Sequence, residues 1–107
     1  MSGDRFEVRF GCPAAEKDYN SLDGSTRVMV DKGLFRLEQR ADEIGKALSG
    51  ALSGCKELKF RADGIRVIYR IVNGHVEVVQ IIAIGARDKG RVFEIAARRI
   101  AEIDRLN

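Results

Sequence analysis

The stretch Glu57-Leu-Lys-Phe-Arg-Ala-Asp-Gly-Ile-Arg-Val-Ile-Tyr-Arg-Ile-Val-Asn-Gly-His75 alternates apolar and charged side chains on either side of a Gly-containing turn. A period of two marks strands whose faces differ. Leu58 and Phe60 point one way, and Glu57, Lys59 and Arg61 the other. In the second run Arg66 and Arg70 share a face with Ile68, opposite Ile65, Val67, Tyr69 and Ile71. Asn73-Gly74 is a strong short-hairpin signal, so His75 to Ile84 is predicted to return as a third, largely apolar strand. Strands connected this closely form an antiparallel meander. The single histidine, His75, then falls at a hairpin tip as a turn residue.

Upstream, Phe6-Glu-Val-Arg-Phe10 alternates as a short strand. Pro13 suits the first turn of a helix, and Ala15, Tyr19 and Leu22 recur behind it at helical spacing. Asp23-Gly-Ser-Thr carries cap-forming residues. From there Val30, Leu34, Leu37, Ala41, Ile44 and Leu48 predict one long amphipathic helix. The two helices are expected to pair as an antiparallel hairpin. Ser49 to Gly54 reads as a small-residue loop, Gly85 to Gly90 as a second one, and Phe93, Ala97, Ile100 and Ile103 as a closing helix. The order β-α-α-β-β-β-α implies an α+β fold, an antiparallel sheet packed on a helical hairpin with a C-terminal helix.

At 107 residues, 45% of them hydrophobic and 33% charged, the chain is expected to form one domain, 1–107. The nearly apolar run Val78 to Ala86 is about half a membrane span, and the first residues have no apolar signal core. Expected, therefore, are no membrane association and a cytoplasmic location. Cys12 and Cys55 are too few for a disulfide framework or a zinc site, and are expected to be reduced and partly buried.

The net charge of +3 is unevenly spread. Residues 55–91 carry eight Lys/Arg (Lys56, Lys59, Arg61, Arg66, Arg70, Arg87, Lys89, Arg91) against four Asp/Glu. The excess cation therefore coincides with the sheet. Alternation places Lys59, Arg61, Arg66 and Arg70 together on the face that the helical hairpin leaves open, with Arg87 reaching over it from the strand end. Such a face suits a polyanion. No Ser-His-Asp set, metal-ligand cluster or phosphate-binding glycine loop accompanies it, so no cofactor and no metal are expected. Guanidinium and ammonium groups can still grip phosphates and stabilise charge in phosphoryl transfer. RNA brings its own nucleophile, the 2′-OH.

The run Leu48-Ser-Gly-Ala-Leu-Ser-Gly-Cys-Lys-Glu-Leu-Lys-Phe-Arg-Ala-Asp-Gly-Ile-Arg-Val-Ile-Tyr-Arg-Ile71, with Ile84-Gly-Ala-Arg87 and a closing helix, resembles the RelE/ParE toxin superfamily. Ala14-Ala-Glu-Lys-Asp-Tyr19 is similar to its opening helix, and the likeness runs from about Phe6 to Ile103. The resemblance implies a type II toxin held by a cognate antitoxin encoded nearby. RelE-like members cut mRNA at the ribosome without metal; ParE-like members poison DNA gyrase. Gly85-x-Arg87 favours the RelE branch, the alternatives being a ParE-like gyrase inhibitor or a degenerate member that only binds RNA and antitoxin.

Position by position, Lys59, Arg66 and Arg87 stand where the RelE branch keeps catalytic cations. Glu57 replaces a second lysine, and could act as general base for the 2′-OH or simply pair with a neighbouring cation. Phe93 replaces a tyrosine; it can stack on a base but cannot give a proton. Lys56, Arg61, Arg70, Lys89 and Arg91 are expected to contact the RNA backbone.

Overall fold

A strand whose two faces are both apolar must be covered on both sides. In the computed structural model, which describes residues 5–61, 64–86 and 90–106, that requirement sets the architecture. The elements are β1 (Phe6–Phe10), α1 (Pro13–Asn20), α2 (Gly24–Arg40), β2 (Lys46–Ala47), a 3-10 turn at Gly50–Leu52, β3 (Cys55–Phe60), β4 (Ile65–Val72), β5 (Glu77–Ala86) and α3 (Arg91–Leu106). They form an α+β domain with one five-stranded sheet in the order β1-β5-β4-β3-β2. The meander β3-β4-β5 is antiparallel, as the alternation implied. β1 is added in parallel along β5, Phe6 opposite Glu77 through Phe10 opposite Ile81, and β2 lengthens the other edge.

α2 and the Ala41 that caps it pack one face of the sheet, Val30, Leu37 and Ala41 joining Leu58, Phe60, Val67, Tyr69, Val79 and Ile81 in one core. α3 packs the other, its Val92, Ala96 and Ile103 meeting Cys55, Ile68, Ile82 and Ala83. A bulge makes this two-sided burial possible. Tyr69 pairs with Ile81 but Ile68 with Ala83, so Ile82 is an extra residue in β5. Ile81 then faces α2 while Ile82 and Ala83 face α3, which is why this stretch of sequence is uniformly apolar.

α2 does not continue to Leu48 as its periodicity implied; it stops at Arg40. The reason lies on β4. Tyr69, fully buried, places its hydroxyl 2.8 Å from the Ile44 carbonyl and 3.0 Å from that of Ala41, taking over acceptors at the helix end. Gly45 follows with φ +82°, and a Cβ there would collide with the Tyr69 hydroxyl. Lys56 adds its ammonium to the carbonyls of Ala41 and Asp42, 3.4 and 3.1 Å away. At the other end Asp23 caps the helix as its residue type suggested, accepting the Thr26 N–H at 2.8 Å.

The β4-β5 connection is longer than a two-residue Asn-Gly turn. Val72 pairs with Val78, residues 73–76 lie between the strands, and Gly74 is not among the positive-φ glycines such a turn needs. β5 therefore begins at Glu77 rather than His75, and His75 is exposed in the connection. Of the turn read at 62–64, only Gly64 is among the described residues. α1 lies against β5 and α2 against β1 and β3. The two helices are linked by the Tyr19 hydroxyl donating to Asp31 and by Arg27 donating to the Asn20 carbonyl. No described helix is long and apolar enough to cross a membrane.

Burial, with a smaller contribution from Asp42, pushes the Tyr69 phenol up from 10.0 to about 12. The protonated form is thus favoured in the folded chain, and its contribution is intact below pH 10 and lost as pH rises through 12. Tyr69→Phe should lower unfolding free energy at neutral pH by about 1–2 kcal/mol, from the lost acceptor partner. In urea titrations the gap between wild type and variant should hold up to pH 10 and close above it.

Candidate nucleic-acid interface

Cys55, Glu57 and Lys59 of β3 lie on the same side as Arg66, Ile68 and Arg70 of β4, with Lys59 directly opposite Arg66 and Glu57 opposite Ile68. This is the face that α3 occupies. α3 covers the end holding Cys55 and Ile68, and its first turn brings Phe93 up to Arg66. Only the end nearest the β3-β4 turn stays accessible. There Glu57, 3% exposed, is flanked by two cations: Lys59 Nζ at 3.4 Å from Oε1 and Arg66 Nη1 at 3.3 Å from Oε2. The Arg66 guanidinium carbon lies 5.1 Å from the centre of the Phe93 ring.

Both ion pairs are longer than the 2.7–2.9 Å or so of a tight charge-assisted bond, so neither cation is fully spent on the carboxylate. Arg66 Nε is buried without a hydrogen-bond partner among the described residues. Such a donor costs about 1–3 kcal/mol until something accepts from it. Among the described residues, one carboxylate between two cations leaves a surplus positive charge at a pocket of about 280 Å³, lined by Lys59, Phe60, Arg61, Gly64, Ile65 and Arg66. An anion with several oxygens, such as a phosphodiester, matches that surplus.

The other sequence-derived candidates divide sharply. Arg61 is exposed and lines the same pocket. Arg91 is exposed at the start of α3. Arg87 and Lys89 lie outside the described residues. Arg70 is not on an open face: Nη1 and Nη2 donate to Asp104 of α3 at 3.2 and 2.8 Å, and Nε to Gln80 at 2.7 Å. This bond from Arg70 holds the Asp104 carboxyl below its usual range, and in return raises the Arg70 guanidinium. Lys56 faces α2, whose end it caps. Lys56 and Arg70, both expected to contact RNA, are instead spent on the ends of α2 and α3. Sequence reading missed Asp104 as the partner, although its position next to Ile103 on an amphipathic helix is the signal that puts it near the sheet. Cys12 and Cys55 are free thiols, and burial pushes the Cys55 thiol up.

No family model matches the chain. Over 96 residues, 90% of this chain and 98% of the relative, it is 26% identical to a RelE-like toxin protein of Escherichia coli. Over 86 residues, 80% of this chain and 88% of the relative, it is 28% identical to the mRNA interferase toxin RelE of E. coli K12. The isolated E. coli RelE toxin superposes with a TM-score of 0.66 at 28% identity, covering 89% of this chain and 98% of that one. The chain is similar to RelE toxins over most of its length and of theirs. A doubly substituted E. coli RelE in its free state fits with a TM-score of 0.75 at 25% identity, over 90% of this chain and 98% of that one. The toxin-antitoxin complex RelBE2 of Mycobacterium tuberculosis fits at 0.66 and 25%, over 79% and 95%.

For this RelE-like chain the geometry separates cations that line the open pocket from cations that hold the fold. With a single-stranded RNA oligonucleotide, Lys59→Ala and Arg66→Ala should each flatten the plot of log affinity against log salt by about 0.7. Arg70→Ala should leave that slope unchanged and lower the thermal midpoint instead, because it frees the Asp104 end of α3 from the sheet.

Proposed function

We propose that this single domain, residues 1–107, is the toxin of a type II toxin–antitoxin pair and acts in the cytoplasm as a metal-independent endoribonuclease on ribosome-bound mRNA. The observation that carries the proposal is the half-neutralised cluster Glu57, Lys59 and Arg66, in a chain whose similarity to an mRNA interferase spans most of both proteins. RNA cleavage needs a base to take the 2′-OH proton, positive charge on the phosphate and a fixed in-line geometry. Lys59, the more exposed cation, holds the strand. Arg66, which lines the pocket, sets its guanidinium on the scissile phosphate, and Arg87, which follows Gly85 and Ala86 in the chain, supplies a second guanidinium. Glu57 accepts the 2′-OH proton as that oxygen attacks phosphorus. The bond to the 5′-oxygen breaks, solvent protonates the leaving group, and a 2′,3′-cyclic phosphate remains.

Phe93 acts in this scheme through Arg66. Its ring lies near the guanidinium and packs against the core under α3, so it fixes the cation rather than giving a proton. The partner is a cognate antitoxin, in keeping with the complexes that structural relatives form. Val28 and Phe35, 53% and 61% exposed on α2, offer an apolar surface for an amphipathic helix, whose acidic side chains would neutralise the basic pocket.

Induced in a host cell, the wild-type chain should arrest growth and create new mRNA ends within translated regions. Arg87→Ala should abolish both while the protein stays folded; Arg66→Ala should abolish both and also lower the thermal midpoint, because it leaves buried Glu57 with one cation. Glu57→Gln should lower kcat about 10²–10⁴-fold, the usual worth of a positioned base. Intact mRNA with unimpaired translation would refute the nuclease. A DNA-damage response with stalled supercoiling would point to gyrase instead.

A further inference from the structure

Past Ile81 no described strand pairs with β5 on its β1 side, and the ladder closes with the Gly11 N–H donating to the Ile81 carbonyl at 2.7 Å. The backbone beyond that point still needs partners. Two side chains from different helices supply them. Oδ2 of Asp18, on α1, accepts the Ile84 N–H at 3.1 Å, and Nη1 of Arg99, on α3, donates to the Ile82 carbonyl at 3.1 Å. The pair is also joined internally, Nη1 to Oδ2 at 2.6 Å and Nη2 to Oδ1 at 3.4 Å. Arg99 and Asp18 are 19% and 23% exposed, so water competes little for these bonds.

This clamp grips two elements that serve the cluster. On β5 it holds Ile82 and Ile84, immediately before Gly85-Ala86-Arg87. On α3 it anchors the helix whose first turn sets Phe93 against Arg66. We propose that Asp18 and Arg99 are positioning residues for RNA cleavage: their ion pair, standing in for a missing strand, fixes the end of β5 and the start of α3 in the arrangement that turnover requires. The inference rests on the nuclease reading above. A pair that served folding alone would alter the folded fraction and leave the rate per folded molecule untouched. A pair that sets geometry alters that rate with little change in KM, since a displacement of about 1 Å can cost about a hundredfold.

The test uses the full chain with programmed ribosomes, measuring kcat and KM for mRNA cleavage, alongside hydrogen exchange of the Ile84 amide. In Asp18→Ala, kcat per folded molecule should fall about tenfold or more at little-changed KM, and the Ile84 amide should exchange faster. Asp18→Asn, whose amide oxygen can still accept from Ile84 and Arg99, should restore slow exchange and most of the rate. Arg99→Ala should resemble Asp18→Ala. Wild-type kcat in folded Asp18→Ala, or a loss accounted for wholly by unfolded protein and not restored by Asn, overturns the inference while cleavage by the wild type upholds the nuclease. A wild-type chain that cuts nothing sinks the nuclease reading and this inference with it.

Discussion

Burial of β4 and β5 on both faces is the constraint from which the rest of the molecule follows. Val67, Tyr69, Val79 and Ile81 need α2, while Ile68, Ile82 and Ala83 need α3. A sheet of this size has no face left over for a broad basic surface. The cations must either serve the packing or collect at the margin that the helices fail to reach. Arg70 and Lys56 take the first course, binding the ends of α3 and α2. Lys59, Arg61 and Arg66 take the second.

The margin is small, and its electrostatics are correspondingly sharp. A carboxylate as buried as Glu57 is tolerated because two cations face it, and breaking up such a group leaves an uncompensated charge. The loose distances keep the arrangement short of full neutralisation. Phe93 closes one side of Arg66 with a ring face, and Arg66 lines the pocket beside Lys59 and Arg61. Among the described residues Glu57 is the one carboxylate paired with these cations, so the site keeps a surplus of positive charge.

Tyr69 shows how tightly the two faces are coupled. On the strand it alternates with Ile68 and Arg70, so the residue that ends α2 sits between two residues that meet α3. The apolar period of α2 runs on through Ile44 and Leu48, and nothing local contradicts a longer helix. What stops it is a hydroxyl 25 residues further along the chain, together with a glycine whose significance appears only beside that hydroxyl.

Alternation in β3 and β4 settles which side chains share a face, because the pleat admits no other arrangement; that much, with the α+β class and the grouping of Glu57, Lys59 and Arg66, was legible from residue order alone. The parallel addition of β1, the end of α2 and the engagement of Arg70 by Asp104 were not. Each is a contact between segments far apart in the chain, and local periodicity says which face a residue presents but not what arrives to cover it. The sequence determined a two-faced basic sheet. Tertiary packing decided how much of it stays open, because only the docking of α3 distinguishes a cation that holds a helix from one left at the accessible margin.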